Sequence, residues 1–336
     1  RDRSYLLASG WFLFAAVVLT YAIAGDTTFS EGGILTADSA SQSTLIILFA
    51  LFALGSMKAA WIPFHAWLPS AMVAPTPVSS LLHAVAVVKA GVFGFVRIVC
   101  YVFGLDLAMA LGLGLALGVV ASITMILGSF FAIGEDNLKR RLAFSTISQL
   151  SYILFGVALL SPYGIKGAML HIHFHGFMKI TLFLCAGAIM VITGKKEISK
   201  MAGIGRKMPV TMIAFTIGAI GMCGMPPVAG FLSKWFLCLG TIQAESLIFL
   251  GVILTSSLLD VIYFFPIVNT AFFKAPQNTD DGGRNHNSED NIKQSHLMFM
   301  VAPLAVTALF SIVFCFFPGT FYLIDLAEVA ITRLFP

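Results

Sequence analysis

Charge is scarce in this chain, and most of it stays out of the apolar stretches. Only 11% of the 336 residues are charged against 58% hydrophobic, and mean hydropathy is +0.93. A soluble domain so composed would expose apolar area far beyond what monomers carry, which excludes the soluble classes. Cysteine pairs are missing as well. Cys100, Cys185, Cys223, Cys238 and Cys315 lie in apolar stretches with no C-x-x-C spacing, so they read as small buried apolar residues, not disulfide, zinc or iron–sulfur ligands. There is no Walker loop, no H-E-x-x-H and no G-x-S-x-G. Gly112, Gly114 and Gly118 lie in mid-span with no strand before them, so they read as helix-packing glycines. No catalytic residue, metal ligand or cofactor is expected, NADH and flavin included. The net charge of +4 does not point to nucleic acid, because the basic residues follow another pattern.

What is present is a series of apolar runs of about 20 residues, each long enough to cross a bilayer as a helix. Nine are expected, at 5–24, 44–61, 77–101, 107–133, 142–160, 165–193, 209–239, 246–273 and 297–317, which makes the chain an all-α polytopic membrane protein. The tail 319–335 carries Asp325, Glu328 and Arg333 and reads as interfacial. The polar stretch 275–295 reads as a cytoplasmic loop. With the N-terminus placed in the cytoplasm, 13 basic residues fall on that side and three on the other. This is the positive-inside bias, and Lys139, Arg140 and Arg141 contribute to it as a topology signal. No cleavage site follows the first span. The sequence starts with Arg1 and reads as a piece of a longer polypeptide in the inner membrane.

Against that background four lysines stand out inside apolar segments: Lys58, Lys89, Lys179 and Lys234, with His83, His171 and His175 beside them. A charge near the bilayer centre costs at least about 2.5–3.5 kcal/mol, so such groups survive mainly where they face a bundle interior or wet cavity and mark an ion or proton path. Two of them sit beside helix breakers. Lys58 precedes Pro63, Pro69, Pro75 and Pro77, and Lys234 follows Pro226, Pro227 and Gly230. Proline removes a backbone hydrogen bond, and in a membrane the freed groups are tolerated where helices line a cavity. Paired interrupted segments point to an inverted-repeat transporter. The competing reading is of ordinary kinks with lysines snorkelling to an interface.

In LHIHFHGFMKI, His171, His175 and Lys179 recur every four residues. Each step turns a helix by about 400° and advances it about 6 Å, so the three form one drifting stripe. Imidazole titrates near neutrality and can pass a proton through both nitrogens, and a desolvated lysine can exchange one too. A relay linked by water is therefore expected, in preference to a metal site, which the lysine would disfavour. His173 points away, towards packing or lipid. His83 and Lys89 are six residues apart, about 240° around a helix, and share one path only if that helix is irregular. Asp260 is the only acid deep within the spans. Three roles are open to it: partner of Lys234, ligand of a bound cation, or structural hydrogen-bond acceptor.

The segments KAAWIPFHAWLPSAMVAPTPVSSLLHAVAVVKAGVFGFVR, EDNLKRRLAFSTISQLSYI, HIHFHGFMKITLFLCAGAI and GMPPVAGFLSKWF together resemble the antiporter-like membrane subunits shared by respiratory complex I, membrane-bound hydrogenases and multisubunit Na+/H+ antiporters. Within that group the chain looks most like the D-type subunits of the antiporters. The resemblance implies two inverted five-helix repeats with broken helices. Residues 1–104 would be the remainder of the first repeat and 105–273 the second, followed by a polar loop at 274–296 and a terminal helix and tail at 297–336. It implies that Lys58, His83 and Lys89 serve the first half, that His171, His175 and Lys179 form the central relay, and that Lys234 serves the second half. It also implies that five helices precede this chain, including the one bearing a glutamate partner for Lys58. The expected function is proton translocation within a larger complex, with other membrane subunits and the bilayer as partners. The alternatives are Na+ or K+ exchange for protons, or a non-transporting scaffold of a redox or carbon-uptake complex.

Overall fold

The computed structural model describes residues 2–275 and 289–335, and every regular element among them is helical. The chain opens with α1 (Asp2–Ala24) and α2 (Gln42–Gly55), a pair packed against each other. The Ser41 hydroxyl starts α2 by accepting from Thr44 N, which satisfies one of the orphan donors of the first turn. A 3-10 turn (Met57–Ala59), the short α3 (Trp67–Ser70) and a second 3-10 turn (Ala71–Val73) follow. Then come α4 (Thr76–Ala84), α5 (Val87–Arg97) and a π-helical turn (Ile98–Phe103). Next are α6 (Leu105–Ala110), α7 (Leu113–Gly134), α8 (Leu138–Ala158) and α9 (Pro162–Thr193). The chain continues with α10 (Ile204–Lys207), α11 (Pro209–Cys223), α12 (Gly230–Gln243) and α13 (Leu247–Phe273), and ends with α14 (Glu289–Phe316) and α15 (Leu323–Leu334).

Six stretches are long and apolar enough to cross a membrane: Ser4–Ala24, Thr76–Phe103, Leu113–Gly134, Pro162–Thr193, Leu247–Phe273 and Phe299–Phe316. With α2, α8 and the pair α11 and α12, each of the nine expected spans has a helical counterpart. The 77–101 run is not one straight helix, because α4 stops at Ala84 and α5 restarts at Val87. The expected polar loop lies largely on residues that are not described. Residues 276–288 lie outside the described residues, and α14 has begun by Glu289.

The long helix α9 is the axis of the molecule. Ser161 caps it and Pro162 occupies its first turn, while Gly194 ends it in the left-handed conformation, φ +68°. Around it pack α4, α8, α11, α12, α14 and α15. One apolar cluster gathers α2, α5, the π turn, α7 and α8; a second gathers α9, α11, α13 and α14. Glycine permits the close approaches: a Cβ at Gly114 would meet Ala158 O at 2.7 Å, and one at Gly118 the Phe249 ring at 2.8 Å. Gly112 differs from these two. It has open space around it and a φ of +67°, so it serves the turn between α6 and α7, not packing. The five cysteines are all free thiols; Cys238 and Cys315 are half-buried and the other three buried.

Candidate functional site: a buried lysine network

Both expected helix breaks are present. After α2 the backbone leaves helical geometry, and its polar groups find side-chain partners: Ile62 N donates to Thr124 Oγ1 at 3.1 Å, and Trp67 Nε1 donates to Met57 O at 3.2 Å. Between α11 and α12 the break spans residues 224–229, and Ala229 N donates to Ser311 O of α14 at 2.8 Å. Neighbouring elements thus supply bonding that the helix itself cannot.

The two lysines at these breaks meet different surroundings. Lys58 lies on the 3-10 turn, is exposed, and lines a cleft of about 430 Å3 with Ser56, Phe93 and Arg97. It has no hydrogen-bond or ion-pair partner among the described residues. Lys234, near the start of α12, is 5% exposed. Its Nζ donates to Asp260 Oδ2 at 2.7 Å, to Ser257 Oγ at 3.2 Å and to Tyr152 OH at 3.3 Å. The ammonium also sits over the Tyr152 ring, 4.3 Å from its centroid. Of the three roles open to Asp260, two are observed together: it pairs with Lys234 and it accepts structural hydrogen bonds.

Asp260 collects more donors than that pair. Gln149 Nε2 donates to Oδ2 at 2.7 Å and Tyr263 OH to Oδ1 at 2.6 Å. The Tyr263 hydroxyl is also 2.9 Å from Ser145 Oγ. Lys179 Nζ donates to Ser145 Oγ at 2.8 Å and to Leu142 O at 3.0 Å, with the Phe264 ring 5.9 Å away. Lys179, Ser145, Tyr263, Asp260 and Gln149 are all fully buried. A continuous hydrogen-bonded line therefore joins Lys179 on α9 to Lys234 on α12 by way of α8 and α13.

The stripe of His171, His175 and Lys179 exists as one buried row on α9, but its members address three different elements. His171 Nδ1 lies 2.9 Å from Ser233 Oγ on α12, the residue next to Lys234. Ser233 gives its own hydroxyl to Gly230 O at 3.1 Å, which leaves the histidine nitrogen as the donor. His175 Nδ1 accepts from Lys89 Nζ of α5 at 2.8 Å. Lys179 turns to α8. The two imidazoles stack with centroids 5.8 Å apart. Between His83 and Lys89 the helix is interrupted at residues 85 and 86. His83 lies on α4, and its side chain is outside the described residues. His173 is exposed and, among the described residues, bonds to its own helix at Met169 O.

Sequence reasoning missed Ser145, Gln149, Tyr152, Ser233 and Tyr263, because an uncharged polar residue in an apolar span has no signature until helix rotations are known. Two cations that sequence reasoning counted only for topology also have structural partners. Arg141 is not simply a topology marker. It is buried, with its guanidinium donating to Glu135 O, Tyr263 O and Ile133 O at 2.7, 3.0 and 3.3 Å. Lys166 is buried beside the Phe236 ring and pairs with Glu328 of α15 at 2.7 Å.

Comparison with known proteins gives the network a context. The family model described as "NADH:quinone oxidoreductase/Mrp antiporter, TM" matches residues 3–260. Over 269 residues the chain is 34% identical to NADH-quinone oxidoreductase subunit N of Desulforudis audaxviator, covering 80% of this chain and 53% of that protein. Over 191 residues it is 40% identical to the A/B polypeptide of a probable K(+)/H(+) antiporter of Rhizobium meliloti, covering 57% of this chain and 18% of that protein. A chain of the solved Mrp complex from Dietzia sp. shares the fold, with a TM-score of 0.83 at 23% identity over 99% of this chain and 67% of that one. The chain therefore spans about half the length, or less, of these curated relatives.

Proposed function

Because the chain belongs to the family of NADH:quinone oxidoreductase and Mrp antiporter membrane subunits, we propose that it moves protons across the inner membrane as one subunit of a multisubunit complex. The observation that carries this reading is a charge imbalance in the sealed interior. Among the described residues, three buried lysines (Lys89, Lys179 and Lys234) and two buried histidines share this interior with one buried carboxylate, Asp260, which is paired with Lys234 alone. One carboxylate can balance only one ammonium, and an isolated buried charge is held at a cost of many kcal/mol unless it is neutralised. Such a set settles its charge by taking up and releasing protons, which is the chemistry of a proton path. Lys89, His171, His175, Lys179, Lys234 and Asp260 form that path, while Lys58 and His83 belong to its first-half counterpart. The repeats divide at residues 104 and 105, and the N-terminus of the chain faces the cytoplasm. Other membrane subunits supply the driving reaction.

The test is Lys179→Ala in the assembled complex, with proton translocation read by a pH-sensitive dye in vesicles. Transport is expected to fall to background while assembly persists. Lys179→Arg is expected to fail substantially as well, because arginine stays protonated at any accessible pH. Pumping at the wild-type rate in assembled Lys179→Ala would remove the network from the mechanism.

A second reading, exchange of Na+ or K+ for protons, has the name of the Rhizobium relative in its favour. Asp260 is occupied by Lys234, Gln149 and Tyr263, so a metal cation would travel through another polypeptide of the complex.

A further inference from the structure

Between Lys179 and Asp260, hydrogen counting assigns a direction to each bond of the network. The Tyr263 phenol has one hydrogen. At 2.6 Å from Asp260 Oδ1 its contact has the length of a charge-assisted O–H···O bond to a carboxylate, so that hydrogen is committed to Asp260. By heavy-atom geometry the phenol is also placed to donate across the 2.9 Å contact to Ser145, but one hydrogen cannot serve two acceptors, so while it rests on Asp260 the Ser145 hydroxyl donates across that contact instead. The single Ser145 hydrogen is thereby used, and its oxygen is left to accept from Lys179 Nζ at 2.8 Å. All donors point one way, from Lys179 through two hydroxyls to Asp260, while the other carboxylate oxygen is held by Lys234 and Gln149 at 2.7 Å each.

We infer that the hydroxyls of Ser145 and Tyr263 are proton-relaying residues that carry a proton from Lys179 to Asp260, and that arrival of this proton opens the Lys234/Asp260 ion pair. The step rests on the proposed proton-translocating function. It balances as a concerted shift: Lys179 gives a proton to Ser145, Ser145 gives its own to Tyr263, and Tyr263 gives its own to Asp260. Lys179 ends as a neutral amine still bonded to Leu142 O, Asp260 ends as a neutral acid, and both hydroxyls are restored. No phenolate or alkoxide persists. Lys234 then keeps its charge in a buried site with no anion beside it. That state is unfavourable, so Lys234 either swings away or releases its proton onward. Asp260 thus acts as the coupling element between two lysines whose own ammonium groups never meet. The histidine row is a separate limb, from Lys89 to His175 and from His171 to Ser233 beside Lys234.

The experiment compares Tyr263→Phe, Ser145→Ala, Ser145→Thr and Lys179→Ala in the intact complex. Tyr263→Phe keeps the ring packed against Phe264, its neighbour at 4.7 Å, and removes only the hydroxyl. Proton translocation is expected to fall by roughly 10²-fold in Tyr263→Phe and in Ser145→Ala, the scale of a lost proton-transfer group. Ser145→Thr, which restores a hydroxyl, is expected to recover most of it, a rescue that a purely space-filling role would not give. Infrared difference spectra on turnover are expected to show a protonated carboxyl band that vanishes in Asp260→Asn and in Tyr263→Phe. Wild-type transport in both Tyr263→Phe and Ser145→Ala, with Lys179→Ala inactive, overturns this route while leaving the proposed function standing. Wild-type transport in Lys179→Ala overturns the function itself. Should Tyr263→Phe fail to assemble, the contrast between Ser145→Ala and Ser145→Thr decides alone: equal rates reject the relay.

Discussion

Lys58 and Lys234 each lie beside a break in an apolar helix, yet among the described residues one lines an open cleft and the other is sealed. Lys234 is enclosed by α8, α9 and α13 and neutralised by Asp260. The turn carrying Lys58 packs chiefly on α5, where Gly91 brings the two backbones together: a Cβ there would lie 2.4 Å from Ala59 N. The break sets where a lysine can leave helical geometry, and the neighbouring helices decide whether it meets an anion, water or lipid. A broken helix is therefore not sufficient to make such a site.

The largest expected effect follows from removing the anion on the sealed side. Asp260→Ala leaves Lys234 buried without its counter-charge, and loss of one partner of a buried pair costs about 3–5 kcal/mol. Lys58→Ala, at an exposed position, is expected to change stability by no more than about 0.5 kcal/mol. Thermal unfolding of the detergent-solubilised protein measures both. Similar shifts in the two variants would abolish the contrast between open and sealed sites.

A smaller effect separates strain from crowding. Gly224 and Gly112 both have positive φ, +79° and +67°, so an alanine at either costs about 1–2 kcal/mol of backbone energy. Only at Gly224 would the new Cβ also press on Lys234, with Cδ at 2.5 Å; at Gly112 nothing lies within 4 Å. Gly224→Ala is expected to lower both stability and transport, and Gly112→Ala stability alone. Equal transport in the two variants would show that the placement of the Lys234 stem does not matter.

The smallest effect concerns α15, which touches both regions. Glu328 pairs with the nearly covered Lys166, and Arg333 reaches Glu31 at 3.6 Å with both side chains mostly exposed. Glu328→Gln is expected to cost about 1 kcal/mol and Arg333→Gln less than about 0.5 kcal/mol, the range of solvent-exposed pairs. High salt should erase the second difference first. If Arg333→Gln proved the more damaging, the tail would be anchored chiefly to the first region.

The nine apolar runs, the two breaks and the residue types of the embedded cations are all legible in one dimension, because insertion of a segment into lipid depends on its own composition and proline acts on its own turn. The row of His171, His175 and Lys179 is legible for the same reason, since one helix fixes its own periodicity. Who bonds to whom was not. Lys89 meets His175 across 86 residues of sequence and Gln149 meets Asp260 across 111, and no local rule links such positions. Arg141 looked like one more basic residue of a loop until its side chain was seen to turn inward and satisfy three carbonyls. Composition and periodicity settle which segments enter the membrane and which side chains cannot rest there alone. The rotation and offset of packed helices settle which partner each of those side chains finds, because a hydrogen bond requires its atoms within about 3 Å and only the assembled bundle brings distant helices that close.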